Sequence, residues 1–240
     1  MEAKIADKIA VRAVLDANAR RQSLGEFETR KILEAYGITN VPGGLAANAQ
    51  QAVAIAREVG FPVAIKIVSE SLLHKTDAGG IVLNLTDAES LSLAFNQLLE
   101  RIGSNFPQAS IAGAMVEKMA PKGLELIVGM RRDPTFGPMM MFGMGGTLVE
   151  QLKDISFRIA PLSHEDIVEM VDATIAGKLL KGVRGSAQAD LEAVKTAIAA
   201  LSQLALDFPE IEEIEINPLV VYAQGQGALA LDSRAVLRHA

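Results

Sequence analysis

The sequence predicts an α+β protein made of two lobes. Half of the 240 residues are hydrophobic, which is enough to form a substantial core. The first half alternates strand-like and helix-like segments, whereas the second half runs strands together, then helices, then strands again. This change of pattern predicts a helix or linker over residues 1–22, an N-terminal lobe over 23–108 and a C-terminal lobe over 109–240. A cleft between two lobes is a natural place for a ligand.

Apolar periodicity and capping residues define the elements of the first half. Asn48 and Asp87 precede amphipathic stretches and are good helix N-caps, while Gly37 and Gly60 follow such stretches and favour helix ends. We therefore predict helices over 1–22, 24–36, 48–59 and 87–102, and strands beginning at 41 and spanning 61–68 and 80–85.

In the second half, three apolar runs separated by turn residues predict consecutive strands. Ser163, with Asp166 three residues later, resembles a capping box and opens a predicted helical region that ends near Leu180. The remaining predicted elements are strands over 111–119, 124–130 and 138–142, a helix over 189–206, and closing strands over 211–222 and 228–232.

Composition excludes several classes of protein. The chain contains no cysteine, which excludes disulfides, thiolate zinc sites and a cysteine nucleophile, and which suits a cytoplasmic protein. No apolar run reaches the roughly 18 residues that a membrane span needs, and the charged start is unlike a signal peptide. The net charge of −6 argues against nucleic acid as the main partner.

His74 is the first candidate for chemistry. It is one of three histidines, and it lies between an apolar strand-like run and the pair Gly79-Gly80. Imidazole has a near-neutral pKa and a nucleophilic nitrogen, so it can accept and pass on a phosphoryl group. A histidine alone is more often a surface or capping residue, but the neighbouring Lys75, Asp77 and glycines favour a loop that meets anions.

Several charged residues sit at positions suited to a nucleotide. Lys66 interrupts a buried strand, so its ammonium must be paired, reach solvent at a strand end or face a phosphate. Glu117 and Lys118 end another strand, where the backbone either contacts an adenine edge or forms an ordinary charged turn. Glu125 alternates with two leucines and faces either ribose hydroxyls or solvent.

Two further segments carry polar residues. The stretch Phe142-Gly143-Met144-Gly145-Gly146 allows close backbone approach but does not have the phosphate-loop pattern, and Arg158 belongs to the polar set that follows it. Glu213, Glu215 and Asn217 fall on one face of a predicted strand, with Asp232 at the end of its neighbour. Oxygen-bearing side chains in this arrangement fit a cation such as Mg²⁺, or else mark a charged edge strand.

The His74 segment (Ser71 to Gly80), the glycine-rich segment and Glu215-Ile216-Asn217-Pro218-Leu219 together resemble the ATP-grasp β subunit or domain of ADP-forming acyl-CoA synthetases. These enzymes include acetate–CoA ligases and are related to the succinyl-CoA synthetase β chain. The resemblance covers about residues 20–240. It implies an ATP-grasp fold in which two α+β lobes clamp ATP or ADP, and an acid–CoA ligase activity.

The resemblance also implies roles for individual residues. His74 corresponds to a mobile histidine that relays the phosphoryl group, with Glu215 near its path. The nucleotide is contacted by Lys66 through its phosphates, by Glu117, Lys118 and Met119 at the adenine hinge, and by Glu125 and Arg158. Mg²⁺ is held by Asn217 and Asp232.

The CoA-binding part of this family has no counterpart in the chain, so the resemblance implies a CoA-binding α subunit or fused α domain as partner. We expect a hetero-oligomer in the full enzyme, and no nucleic-acid or membrane partner. Two alternatives stay open, namely another ATP-grasp ligase that acts through an acyl phosphate, and a nucleotide-sensing regulatory domain of a fused protein.

Overall fold

The computed structural model describes residues 6–69, 78–146, 154–183 and 187–238. Within them the helices are α1 (Lys8–Ala17), α2 (Glu26–Ala35), α3 (Ala49–Val59), α4 (Ala88–Asn105), α5 (His164–Asp172), α6 (Ile175–Leu180) and α7 (Leu191–Asp207). The strands are β1 (Ser23–Leu24), β2 (Gly43–Ala46), β3 (Val63–Ser69), β4 (Ile81–Leu85), β5 (Ile111–Lys118), β6 (Leu124–Asp133), β7 (Gly137–Met144), β8 (Ile155–Ile159), β9 (Ile211–Val221), β10 (Ala228–Ala230) and β11 (Ser233–Leu237). None of the described helices has both the length and the apolar character needed to cross a membrane.

The chain divides into two compact units. The smaller unit is the continuous segment 41–121, whereas the larger unit combines residues 1–40 with residues 122–240. This division differs from the boundaries predicted after residues 22 and 108. The difference arises because β1 pairs with β11, which joins the start of the chain to its end, and because β5 pairs with β2 and β3.

The smaller unit is an antiparallel sheet covered on one face by α3 and α4. Its strand order is β2-β5-β3-β4. Alternate residues of β3, namely Val63, Ile65 and Ile67, point into a core that includes Phe95 and Ile102 of α4. The side chains between them therefore occupy the opposite face of the sheet. Lys66 is one of these side chains.

The larger unit is built on an antiparallel sheet with the order β1-β11-β9-β6-β7-β8, in which β10 also pairs with β9. Helix α7 packs on one face through Val194, Ile198 and Leu201. The strand residues in the same core include Ile214 and Ile216 of β9. Glu213, Glu215 and Asn217 alternate with the core residues of β9 and lie on the other face, as the alternation predicts.

Most predicted elements exist, with shifted ends. The Asn48 and Asp87 caps and the Ser163–Asp166 capping box are confirmed. Helix α1 is shorter than predicted within the described residues, and Leu24 lies in strand β1, so the helix predicted over 24–36 begins only at Glu26. The predicted helical region after Ser163 is two helices, α5 and α6. Strands β8 and β11 were not predicted from the sequence, and Asp232 lies between β10 and β11 and does not end a strand.

Candidate functional site

In the smaller unit, Lys66 and Glu117 form an ion pair. The Lys66 Nζ and Glu117 Oε2 atoms are 2.7 Å apart, and the two side chains are 12% and 3% exposed. Lys66 pairs across the sheet with Met115, two residues before Glu117, so the two charged side chains are diagonal neighbours on one face. The predicted need of Lys66 for a partner is therefore met by a carboxylate on the adjacent strand.

The end of β5 is tied to its neighbours through its backbone. The amide of Lys118 donates to the carbonyl of Pro42 over 2.8 Å, and the amide of Met119 donates to the carbonyl of Pro62 over 3.0 Å. The Lys118 ammonium donates to the carbonyls of Gly60 and Phe61 at 2.9 and 2.8 Å. The Lys118 side chain thus holds the chain that follows α3, and its assignment to an adenine hinge stays a prediction.

In the larger unit, β9 contains a bulge at the predicted metal residue. Leu126 of β6 pairs with Leu219 of β9, and Val128 pairs with Ile216, so Asn217 and Pro218 together face the single residue Ile127. A bulge interrupts pairing and redirects the side chain of the extra residue. The peptide between Asn217 and Pro218 is cis.

The glycine-rich segment approaches Asn217 directly. The amide of Gly146 donates to Oδ1 of Asn217 over 2.9 Å, and the amide of Gly145 donates to the carbonyl of Glu125 over 2.9 Å. Gly146 has φ of +66°, and a Cβ on it would overlap Oε2 of Glu125. The structure therefore brings Glu125, Gly146 and Asn217 together. The contacts of Gly146 with the other two residues were not predicted from the sequence.

Asp232 adjoins Asn217 through the backbone. The amide of Asn217 donates to the carbonyl of Asp232 over 3.0 Å, and the Asp232 carboxylate accepts from the amide of Ser233 over 2.9 Å. An amide oxygen and a carboxylate in adjacent chain segments fit Mg²⁺, which takes few protein oxygens and keeps several waters or phosphates. The Asn217 oxygen accepts one hydrogen bond here and has a second lone pair. In the described part of the chain, no group of three or more His, Cys, Asp or Glu side chains could hold a metal ion.

Glu215 lies within a small charge network on the same sheet face. Arg234 pairs with it across the strands, with Nη2 3.8 Å from Glu215 Oε2 and 3.0 Å from Glu213 Oε1. Burial raises the pKa of the Glu215 carboxyl above its usual value, while Arg234 opposes this and Glu213 adds to it. Sequence analysis did not single out Arg234, because its strand β11 was not predicted.

Arg158 lies on the other face of the same sheet. Arg158 pairs with Met140, whose side chain lies in the core. Glu215 pairs with Gly129, Gly129 pairs with Met141, and Met141 pairs with Phe157. Because paired residues share a sheet face, Glu215 lies on the face of Phe157, opposite to that of Arg158. The Arg158 guanidinium is 3.7 Å from the Glu169 carboxylate of α5 and donates to the carbonyl of Phe157. The structure therefore does not bring Arg158 together with Glu215 and Asn217, and a contact of Arg158 with a phosphate stays a prediction.

The predicted relay histidine, His74, lies outside the described residues, as does Asp77. Asp154, which belongs to the polar residues that follow the glycine-rich segment, has a structural role. Its carboxylate accepts from the amides of Ile175 and Ala176 at 2.8 and 2.9 Å and so caps the start of α6.

Comparison with known proteins agrees with this architecture. A family model described as an ATP-grasp domain matches residues 15–237. The chain belongs to this ATP-grasp family, and the α+β fold predicted from the sequence is the ATP-grasp fold.

Within the family, the chain is similar to components of ADP-forming acetate–CoA ligases. It is 41% identical to the β subunit of acetate–CoA ligase I from Pyrococcus furiosus, over 96% of this chain and 100% of that subunit. It is 42% identical to acetate–CoA ligase I from Archaeoglobus fulgidus, over 98% of this chain but only 36% of that longer protein.

Among solved structures, the chain is similar to the dinucleotide-forming acetyl-coenzyme A synthetase 1 of Ca. Korarchaeum cryptofilum. The complex of that protein with coenzyme A and Ca-AMPCP matches with a TM-score of 0.90 and 41% identity, over 95% of this chain and 99% of that one. A second complex, with coenzyme A and Mg-AMPPCP, has its phosphohistidine segment pointing towards the nucleotide-binding site. It matches with a TM-score of 0.83 and 38% identity, over 95% of this chain and 100% of that one.

Proposed function

We propose that the chain is the nucleotide-binding component of an ADP-forming acyl-CoA synthetase, an acid–CoA ligase that interconverts acyl-CoA, ADP and phosphate with acid, CoA and ATP. The observation that carries this proposal is the match to an entire β subunit of such an enzyme at 41% identity. The longer Archaeoglobus relative, of which the chain spans 36%, supports a partner or fused part that supplies the rest of the enzyme.

In the smaller unit, we assign Lys66 to the nucleotide phosphates and the chain from Glu117 to Met119 to the adenine edge. The support is the position of Lys66 on the sheet face opposite the helices, where its side chain is 12% exposed. Phosphoryl transfer asks the protein mainly for positioning and for cations beside the developing charge. A lysine held at a fixed place by the sheet meets both requirements.

In the larger unit, we assign Asn217 and Asp232 to Mg²⁺ and Glu125 to the ribose. The hydrogen bonds that place Gly146 beside Asn217 and Glu125 support this assignment. When bound, Mg²⁺ would neutralise charge on the nucleotide phosphates. The protein's own contribution is to orient the amide and carboxylate oxygens through the β9 bulge and the glycine-rich segment. Arg158 is left out of this assignment because it lies on the opposite sheet face.

We further propose that His74 relays the phosphoryl group. In the direction of ATP synthesis, a bond from phosphorus to an imidazole nitrogen forms as the bond to the partner's phosphoryl donor breaks. A terminal oxygen of ADP then attacks the phosphorus, and the nitrogen leaves with its electron pair. Glu215 is assigned to the path of this transfer, on the same sheet face as Asn217.

Reconstitution tests the proposed activity. The chain is mixed with acetyl-CoA, ADP, phosphate and Mg²⁺, with and without a CoA-binding α component of the same family, and ATP formation is followed. We expect ATP only when both components are present. Full turnover by the chain alone would contradict the assignment to one component. Tight Mg-nucleotide binding without turnover beside a competent α component would favour a direct ATP-grasp ligase or a nucleotide-sensing domain.

A cytoplasmic location is part of the proposal, because ATP and CoA are the cosubstrates of the assigned reaction. Fractionation of the source cells followed by immunoblotting tests it, and recovery of the chain outside the cytoplasmic fraction would contradict it.

A further inference from the structure

We propose that Glu117 is a positioning residue that acts on the nucleotide through Lys66, and that its carboxylate does not contact the adenine. This inference rests on the proposed function and deepens it. The Glu117 carboxylate positions Lys66, whereas the backbone from Glu117 to Met119 is the part assigned to the adenine edge.

The sheet fixes the geometry of the pair. Glu117 Oε2 lies 2.7 Å from Lys66 Nζ, a distance typical of a charge-assisted hydrogen bond. The two residues belong to adjacent strands, β5 and β3, whose pairing is continuous from Val63 to Val68. The sheet therefore fixes the distance between the two side chains without help from any ligand.

Burial of the two charges has a cost in folding free energy. Both side chains are largely buried, at 12% and 3% exposure, and removing two charges from water opposes folding unless the interaction compensates. Two apolar side chains of similar size would fill the same space at lower cost. An ion pair at this place is thus better explained by a need for the ammonium than by stability.

Strand β2 encloses Glu117. Gly43 of β2 is its direct partner, and a Cβ on Gly43 would overlap the Val116 carbonyl oxygen and lie 2.9 Å from both Cα and Cγ of Glu117. Only glycine leaves room for the β5 backbone and the glutamate stem at this approach distance. With a relative exposure of 2%, Glu117 is confined on its strand, so its carboxylate is a rigid acceptor for the ammonium.

These features predict how the pair works. Without a nucleotide, the carboxylate neutralises the ammonium and holds it in one rotamer. When a phosphate arrives, the ammonium can donate to both partners, since it has three N–H groups. Because Glu117 already holds the Lys66 side chain in place, Lys66 loses less conformational entropy when the nucleotide binds.

A double-mutant cycle tests this inference on the full chain. The variants are Lys66→Met, Glu117→Gln and the double variant, and the dissociation constant of Mg-ATP is measured by calorimetry. We expect each single change to weaken binding by about tenfold, within the range of coupling between contacting residues. The double variant should bind no more weakly than Lys66→Met alone, because Glu117→Gln changes only the side chain, which acts through Lys66, and leaves the backbone assigned to the adenine edge in place.

The outcomes separate the inference from the proposed function. Additive losses in the double variant would mean that Glu117 touches the nucleotide itself, and would overturn the inference while leaving nucleotide binding intact. Absence of Mg-ATP binding by the unmodified chain would instead overturn the proposed function. If a single variant unfolds, Lys66→Met/Glu117→Gln, which removes both charges, is compared with Lys66→Met/Glu117→Met. Equal Mg-ATP affinities of these two variants support the inference, and unequal affinities contradict it.

A surface ion pair of the same residue types is the matched control. Lys195 and Glu192 of α7 are 2.8 Å apart, and the glutamate side chain is 75% exposed. Lys195→Met and Glu192→Gln should leave the Mg-ATP affinity unchanged, since neither residue belongs to the proposed site. A loss in these variants equal to that in the Lys66 and Glu117 variants would show that the effect is not specific and would contradict the inference.

Discussion

Gly146 shows how a single residue can connect the candidate site. Its amide binds Asn217, its Cα adjoins the Glu125 carboxylate, and its φ of +66° lies in the left-handed region that favours glycine. The glycine cluster was visible in the sequence, but its contacts were not, because they join segments that are about 20 and 70 residues apart in the chain.

Replacing Gly146 with alanine should weaken both folding and Mg-nucleotide binding. The new methyl group would overlap the end of the Glu125 side chain, which can move aside, but the positive φ would strain the backbone whose amide donates to Asn217. We expect a loss of about 1–3 kcal/mol in the free energy of unfolding, as for other residues forced into a rare conformation. Chemical denaturation and calorimetric titration with Mg-ATP would measure the two effects.

Gly137→Ala is the control for backbone strain alone. Gly137 has a similar φ of +80°, but no atom lies within 4 Å of its added Cβ. This variant should lose stability and keep its nucleotide affinity. Equal affinity in both variants would mean that the contact between Gly146 and Asn217 does not matter for binding.

At the scale of elements, α1 is part of the core of the larger unit. Val11 and Leu15 are buried at 0% and 5% exposure, and Lys8 of the same helix pairs with Asp207 at the end of α7 over 2.7 Å. Sequence analysis treated residues 1–22 as a helix or a linker. In the structure α1 is a helix that packs against elements from the other end of the chain. A contact between such distant segments cannot be predicted from a local sequence pattern.

Leu15→Ala should therefore destabilise the protein substantially. Loss of a buried leucine side chain typically costs about 2–5 kcal/mol. Ile9 of the same helix is 83% exposed, so Ile9→Ala should change the free energy of unfolding by less than about 0.5 kcal/mol. Urea denaturation of both variants tests this, and equal stabilities would contradict the packing of α1.

The Asp207 cluster should make stability depend on pH. Burial alone would raise the pKa of Asp207, but hydrogen bonds from Lys8, Tyr36 and Gln203 outweigh it and lower the pKa below its usual value. A carboxyl with a lowered pKa in the folded state stabilises the protein above the pKa of the unfolded state, about 3.9. That contribution is lost as the pH falls through the lower, folded-state pKa.

Asp207→Asn should reduce stability at neutral pH and reduce its decline in acid. The measurement is the free energy of unfolding from pH 7 down to the acid limit of reversible folding. Asp16→Asn, which changes an exposed carboxyl on α1, is the matched control. Parallel curves for the unmodified chain and Asp207→Asn would contradict the role of the cluster.

The elements also show what a sequence can predict. Helices with clear caps, such as α3 and α4, and strands with uniform apolar runs, such as β3, were predicted nearly to their ends. Strand β8 was missed although its apolar residues alternate. Phe157 and Ile159 face away from the helices and are 46% and 50% exposed. Alternating apolar residues of a strand are usually the buried ones, and here they are not.

For the whole molecule, the division into units depends on pairing between distant strands. A discontinuous unit made of residues 1–40 and 122–240 follows from the pairing of β1 with β11 and of β9 with β6. Such pairings have no local signature, which is why the linear boundaries after residues 22 and 108 differ from the structure. The fold family itself was recognisable because its motifs are short and local.

The candidate site was partly predictable for the same reason. Asn217, Asp232 and Lys66 were chosen from residue type and strand position, and the structure gives each a defined setting. The sequence could not reveal that Arg158 lies on the other face of the sheet, nor that Glu117 binds Lys66, because both facts depend on register.

The proposed function requires this chain to carry a phosphoryl group on a histidine between a partner and a nucleotide. The most direct measurement is incorporation of label from γ-labelled ATP with Mg²⁺, with and without a CoA-binding α component. We expect an acid-labile, base-stable label on this chain that disappears in His74→Ala. An unlabelled chain, despite Mg-nucleotide binding and a competent α component, would contradict it.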